Sequence, residues 1–362
     1  MTEIKQIYDY LDSFAPFHTQ YSWDNSGLQC GTLKAKTKGV TLALDLTEEV
    51  LEEAAAKRHN LILTHHPLIF HPVKQVQSDS LLYRAIQLGI TVISAHTNLD
   101  VSPCGVNTAL AQALEFADPQ PLELAKQQQY HKIVVFVPKE HGEAVYEAMA
   151  AAGGGRLGAY EKCAYFCQGE GRFLPMEEAQ PFIGAAGRTE RVPEVRLEMI
   201  VSPQSTKAVV AAMLGAHPYE LPAYDVFENQ AVADAWHLGL VGDLPFALSA
   251  EELGGYVKAR LNAGGVRVAD GGTTITKVAV CGGSGGSLVD EAISRGAQAL
   301  VTGDVKHDVL LEAVQKGLTI VDAGHFATEA VALPLLAQKL REAFPGLGIQ
   351  VASANRDPAI YI

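Results

Sequence analysis

Cysteine is scarce in this 362-residue chain and follows no pattern. Cys30, Cys104, Cys163, Cys167 and Cys281 are odd in number, scattered and without a C-x-x-C pair, which argues against a disulfide framework or a structural zinc cluster of thiolates. They read as reduced thiols, most of them buried. Basic charge is also short: 28 Lys and Arg against 41 Asp and Glu leave a formal net charge of −13, with no Lys/Arg cluster to offset it locally. Such a chain repels phosphate backbones, so nucleic-acid binding is disfavoured. A small anionic substrate stays open, because bound metal ions can reverse the field inside an acidic protein. Long apolar runs are missing, and the opening MTEIKQIYDYLDSF is polar and acidic from the start. Neither a signal peptide nor a membrane span is expected, and a cytoplasmic protein is the default.

What is present is an ordinary globular composition, 48% hydrophobic and 19% charged, with a length suited to two or three domains sharing packed cores. GVTLALDLTEEVLEEAAAKRHNLILTHHP reads as a β-branched strand, a Glu/Ala-rich helix and a second buried strand ending at Thr64. KVAVCGGSGGSLVDEAISRGAQALVTGDVKHD repeats that plan, and Val40 to Ile62 has the same spacing as Val278 to Leu300. Downstream, GITVISAHTNLD matches GLTIVDAGHFATE, each a strand closing on Ala and followed by His. Internal duplication is the simplest reading, with coincidence of common α/β patterns as the alternative.

Between the copies lie strand YHKIVVFVP, helix KEHGEAVYEAMAAAG, strand KCAYFCQG, a Gly- and Pro-rich loop from Gly169 to Pro193, strand EVRLEMIVSP, helix STKAVVAAMLGAH and strand LPAYDVF. That βαββαβ order is ferredoxin-like. The expected fold class is therefore α/β: duplicated lobes, residues 1–127 and 235–362, forming one host domain, with an α+β domain inserted at residues 128–234 in an exposed loop.

Parallel α/β sheets gather functional groups beyond the carboxyl ends of their strands. His65 and His66, Asp100, and His325 with Glu329 all occupy such positions. The H-x-x-x-E spacing of the last pair puts both side chains on one face of the helix read in HFATEAVALPLLAQKL. Three imidazoles and two carboxylates suit Zn, Fe, Mn or Ni. Five ligands exceed one tetrahedral ion, so two divalent ions per chain, roughly 3.5–4 Å apart as in two-metal hydrolytic sites, are the natural expectation. Taken singly, each of these residues could be incidental; their joint placement at matched points of a repeat carries the reading.

His96 could serve the same cleft as a proton carrier, which makes it the catalytic candidate, or could be a structural histidine. His71 and His307 rank lower, with His307 expected to line the cavity rather than bind metal. CGGSGGS, Cys281 to Ser287, could cradle a phosphate on its amides or form a tight turn; it matches neither a P-loop nor G-x-G-x-x-G. Asp24 and Asn25 in SWDNSGLQCG could approach the cleft or cap a turn, and the turn is preferred.

SWDNSGLQCG, LTHHPLIF, SAHTNLD, GVNTAL, CGGSG, TGDVKH and DAGHFATE, in that order, resemble the Nif-three-like family, whose bacterial members are often named GTP cyclohydrolase I type 2 homologues or dinuclear metal centre proteins. HPYELPAYDVF is similar to the PII/CutA-like insert of the longer members. The resemblance implies a homohexameric toroid built from trimers and carries metal ligation to His65, His66, Asp100, His325 and Glu329. Ser26 and Cys30 stand where aliphatic residues are more usual, and Asp308 where a second His is common. A metal-dependent hydrolase acting on GTP or another nucleotide is then expected. The alternative is a non-enzymatic metal-binding or regulatory assembly whose insert senses a small molecule.

Overall fold

The computed structural model describes residues 2–362. The chain divides into a host unit, residues 1–126 with 236–362, and an inserted unit, residues 127–235. No helix among the described residues is long and apolar enough to cross a membrane.

The host contains two sheets with a shared plan. In the first, Val40–Ala43, Leu61–Thr64 and Thr91–Ser94 run parallel, with Val40 opposite Leu61 and Leu61 opposite Thr91. In the second, Ile275–Ser284, Ala299–Gly303 and Thr319–Asp322 run parallel, with Val278 opposite Ala299 and Ala299 opposite Thr319. Each set carries an antiparallel edge strand beside its third member, Gly27–Cys30 and Arg267–Ala269 respectively. The copies differ at the opposite edge, where Ile349–Val351 pairs parallel with the first sheet and the end of Tyr224–Leu248 pairs antiparallel with the second. The central strands are buried on both faces, which is why LILT and ALVTG read as apolar runs and not as alternations.

The lobes exchange their covering helices. Val106–Ala113, which follows the first set of strands, packs Leu110 and Ala111 on Val278, Val280 and Val301 of the second sheet. Ala332–Ala343, which follows the second set, packs Leu333, Leu336 and Leu340 on Leu42, Leu61 and Leu63 of the first. Each fully buried Leu is worth about 1.5–3 kcal/mol relative to exposure. The exchange therefore holds together the segments just ahead of both helices, and those segments carry Asp100, His325 and Glu329.

In the insert the strand order is Ala164–Phe173, Glu190–Val201, Ala117–Pro138, Tyr224–Leu248, with Gly142–Ala151 and Pro203–Ala216 as the helices. This is the order of a ferredoxin-like βαββαβ unit. Its core joins Ile133, Val135 and Val137 with Val145, Met149, Leu197, Met199, Val209 and Met213.

Several expectations need correction. The loop expected from Gly169 to Pro193 is shorter, because Phe173 and Glu190 still pair across a long hairpin; Pro193 lies within the ladder opposite Glu170. The helix read through HFATEAVALPLLAQKL is two helices, His325–Ala330 and Ala332–Ala343, meeting at Val331. Of the five thiols only Cys281 is buried; Cys167 is exposed and the other three are half-buried.

Candidate metal centre

His65 and His66 sit where Leu61–Thr64 has ended but its ladder has not: their amides donate to Ala43 O (3.2 Å) and Leu44 O (2.9 Å). The two rings are thus fixed by backbone at the sheet's rim, centroids 5.0 Å apart. Asp100 closes the helical turn Thr97–Asp100, and Asn107 ties the lobes beneath it: Nδ2 donates to Asp100 O (2.9 Å), while Oδ1 accepts from Gly282 N (3.0 Å). His325 and Glu329 lie one turn apart on the helix that follows Thr319–Asp322.

The structure brings all five together. His65 Nε2 lies 3.5 Å from Asp100 Oδ1 and 3.5 Å from Glu329 Oε1. His66 Nε2 lies 3.0 Å from Glu329 Oε2, His325 Nε2 lies 3.1 Å from Glu329 Oε1, and the two nitrogens are 3.3 Å from each other. One ligand atom each from His66, His325 and Glu329 falls within 4.8 Å of the others, as does one each from His65, His66 and His96. Glu329 is 3% exposed and His65 2%, whereas His66 and His325 face the open side.

Each imidazole is aimed by its other nitrogen. Nδ1 of His65 meets Ala95 O, that of His66 meets Asp45 Oδ1, that of His96 meets Asp24 Oδ1 and that of His325 meets Asp304 Oδ2, all at 2.8 Å. Carbonyl or carboxylate on Nδ1 with Nε2 left for the centre is the arrangement that orients metal-bound histidines. Meanwhile His65 Nε2 and Asp100 Oδ1 are buried without a hydrogen-bond partner, and Glu329 Oε2 is buried with only the imidazole of His66 beside it. A buried polar atom left so costs about 1–3 kcal/mol, and cations held within the cluster would offset that cost. The donor set therefore fits a divalent metal.

Charge in the metal-free cluster is shared between acids and imidazoles. For Glu329, burial pushes the carboxyl up, but His65, His325 and His66 outweigh it and hold it well below the usual range. Burial raises Asp100. His65 is pushed down by burial and up more strongly by Glu329 and Asp100. Against its own burial, Asp45 and Glu329 raise His66 to about 10. Glu329 leads in raising His325 to about 9, against partial burial and with help from Asp304. Cation binding must therefore expel protons. At neutral pH we expect release on the order of one to two per chain, measured calorimetrically as a binding enthalpy that varies with the ionisation enthalpy of the buffer; a flat dependence would contradict the cluster. Raised imidazoles stabilise the metal-free fold fully below their ordinary value of about 6.5. That contribution is lost as pH climbs through about 9 to 10, so the urea midpoint of chelator-treated protein should fall over that window.

Three supporting acids escape a reading of the sequence or contradict it. Asp24 is not a turn cap of the kind preferred above: its side chain is fully buried and accepts from Thr97 N (3.1 Å), Thr97 Oγ1 (2.5 Å) and Ser26 Oγ (2.9 Å) besides meeting His96. Burial would raise its carboxyl, but these bonds to His96, Thr97 and Ser26 hold it far below the usual range. Ser26 also accepts from His96 N at 3.1 Å, so its hydroxyl is put to use where an aliphatic residue is more usual. Asp45 and Asp304 follow the strands Val40–Ala43 and Ala299–Gly303, and the strand-end rule applied to every strand of the repeat would have found both. Asp304 takes a left-handed backbone, φ +54°, to reach His325.

The glycine run carries strand Ile275–Ser284 into a short helical turn at Gly286–Leu288, and it is held by side chains of the protein itself. Three of its amides are already used: Gly282 N on Asn107, Gly283 N on Thr328 Oγ1 (3.0 Å) and Gly285 N on Thr302 Oγ1 (2.8 Å). Gly283, at φ +64°, lies against Glu329 Oε1, leaving no room for a Cβ. His71 is exposed against Phe70, and His307 is exposed at the start of helix His307–Gln315; neither joins the cluster. Around the open side stand Tyr21 and Trp23, stacked at 5.7 Å, with Trp23 also 5.9 Å from Phe70 and 6.0 Å from His96.

Comparison with known proteins agrees across the whole chain. The family model described as Duf34/NIF3 (NGG1p interacting factor 3) matches residues 2–358. A Bacillus subtilis protein named GTP cyclohydrolase 1 type 2 homolog is 38% identical over 367 residues, covering 99% of this chain and 98% of that one. The crystal structure of a Bacillus cereus protein related to NIF3 superposes with a TM-score of 0.84 at 35% identity, covering 100% of this chain and 99% of the other. A Staphylococcus aureus structure gives a TM-score of 0.80 at 29% identity, covering 100% and 99%.

Proposed function

Because the chain belongs to the Duf34/NIF3 family, we propose that it is a dinuclear metal-dependent hydrolase acting on a nucleotide, in the manner that the name GTP cyclohydrolase 1 type 2 homolog gives its relatives. The observation that carries the reading is the pair of buried, partnerless ligand atoms His65 Nε2 and Asp100 Oδ1 beside the buried Glu329 carboxylate, among imidazoles whose Nδ1 atoms are all engaged elsewhere.

His65, His66, Asp100, His325 and Glu329 would together hold the two divalent ions. Zn, Fe, Mn and Ni all suit such ligands. Such a pair supplies an acidified water and a Lewis acid for the bond under attack. His96 is the catalytic residue of the proposal: with Nδ1 held by Asp24, Nε2 is left to take or return a proton at the open side. Trp23 and Phe70 offer a ring-sized apolar face beside it for a planar base. Assembly as a homohexameric toroid of trimers, a PII/CutA-like role for the insert and a cytoplasmic location belong to the same proposal and rest on the family resemblance.

The test is turnover of GTP, followed by chromatography of the products, on protein whose metal per chain has been measured. Two ions per chain and metal-dependent loss of GTP are expected. Asp24→Asn should keep both ions and its fold but lose at least about tenfold in kcat and shift the pH profile, since an amide cannot hold the charged imidazole that proton transfer needs. No turnover of any nucleotide at full occupancy would instead favour a metal-binding or regulatory assembly.

A further inference from the structure

The inserted unit contains a cavity of about 570 Å³ that shares no residue with the metal centre. This volume lies in the range of small-molecule sites, about 300–1,000 Å³. Phe136, Phe173, Phe182 and Tyr219 line it. Phe173 and Phe182 stand 5.7 Å and 6.5 Å from the Tyr219 ring, and His141 lies edge-on to Phe182 at 5.4 Å. The segment that brings Phe182 there is pinned at both ends of its course: Gly187 N donates to Pro175 O (2.9 Å), and Gln180 N donates to Glu220 Oε1 (3.1 Å).

A carboxylate lies among these rings. Glu194 is 9% exposed. Its Oε1 accepts from Tyr219 Oη at 2.9 Å. Its Oε2 lies over Gly171, on the neighbouring strand, where any side chain would collide with it. No protein donor reaches Oε2, and it is not among the sealed partnerless atoms, so it is left to a group inside the cavity. Tyr219 is itself held in place: its amide donates to His217 Nδ1 (3.0 Å), and His217 Nε2 meets Phe136 O (2.9 Å). The other charged lining groups are Glu170, Glu220 and Arg172, and Arg172 is already paired with Glu170 at 2.8 Å.

Aromatic faces attract cations through their ring quadrupoles, and a buried carboxylate with a free lone pair does so more strongly. An anionic guest would repel Glu194, and a neutral one could donate a hydrogen bond but would leave the buried charge uncompensated. We propose that this cavity is a binding site for a small organic cation, a protonated amine on an apolar, ring-sized body, whose ammonium meets Glu194 Oε2 while Phe173, Phe182 and Tyr219 surround it. The site is independent of the hydrolase reading and would survive its failure.

The test is isothermal titration of the full chain with phenethylammonium, with neutral 2-phenylethanol and anionic phenylacetate as matched probes. Phenethylammonium should bind at least about tenfold more tightly than either. Glu194→Gln keeps an acceptor for Tyr219 and should remove that preference. Phe182→Ala, at an exposed ring outside the core, should weaken the cation severalfold without changing thermal unfolding. Equal binding of the neutral probe, an undiminished preference in Glu194→Gln, or no binding of phenethylammonium at millimolar concentration would each overturn the proposal.

Discussion

Glu329→Gln is expected to leave a folded protein that no longer retains metal. The side chain is buried and meets three imidazoles, at 3.5 Å for His65, 3.0 Å for His66 and 3.1 Å for His325. Glutamine keeps its volume and one acceptor but loses the charge that holds those rings protonated in the metal-free state and that would compensate a cation in the loaded one. Losing a mere supporting partner of a metal ligand costs about 10–100-fold in affinity. Removal of the carboxylate that faces both halves of the cluster should exceed that range. Metal per chain after gel filtration should drop to background, while circular dichroism and elution volume stay unchanged. Retention of normal metal content by this variant would remove the basis of the proposed centre. Glu329 is also held ionised by its neighbours, so the wild-type metal-free protein should lose stability as pH falls through the range where that carboxyl takes up a proton, and Glu329→Gln should lack this acid limb.

Gly283→Ala should do comparable damage from outside the ligand set. Gly283 adopts φ +64°, which costs an L-residue about 1–2 kcal/mol. An added Cβ would also overlap Glu329 Oε1, while reaching His325 Cε1 only at contact distance, 3.4 Å. Both stability and metal content should fall. The control lies in the same run: at Gly286 a new Cβ would meet only Val309 and Val305 at ordinary distances, 3.5 Å and 3.9 Å, so Gly286→Ala should keep its metal. Equal behaviour of the two variants, read by metal per chain and thermal unfolding, would contradict the role given to the glycine turn.

The difference between these two glycines cannot be read from CGGSGGS alone, and this marks where the sequence stops informing. That His65, His66, Asp100, His325 and Glu329 meet at one place was legible because strand ends in parallel sheets follow a positional rule and the repeat applies that rule twice. Asp24 was not, since it is buried only because the segment before the first strand folds back over Thr97. Helix Ala332–Ala343 was legible within HFATEAVALPLLAQKL and Val106–Ala113 was not read at all, and a pattern of apolar residues does not in any case say which sheet will receive a helix. Each in fact covers the other lobe's sheet. The hairpin joining Ala164–Phe173 to Glu190–Val201 was underread for a related reason: its outer strand is almost wholly exposed, so it lacks the alternation that marks a half-buried strand.

That trade of helices has a consequence for how the protein is made. During synthesis the ribosome delivers His65, His66 and Asp100 first, then the entire insert, and only after it His325 and Glu329. Until Ala332–Ala343 emerges, Leu42, Leu61 and Leu63 lack the cover it provides, and the early histidines lack the carboxylate that sets their charge. Any cation loading would thereby wait until both lobes have emerged, and a nascent chain that stalls before the second lobe would expose only half of the proposed ligand set.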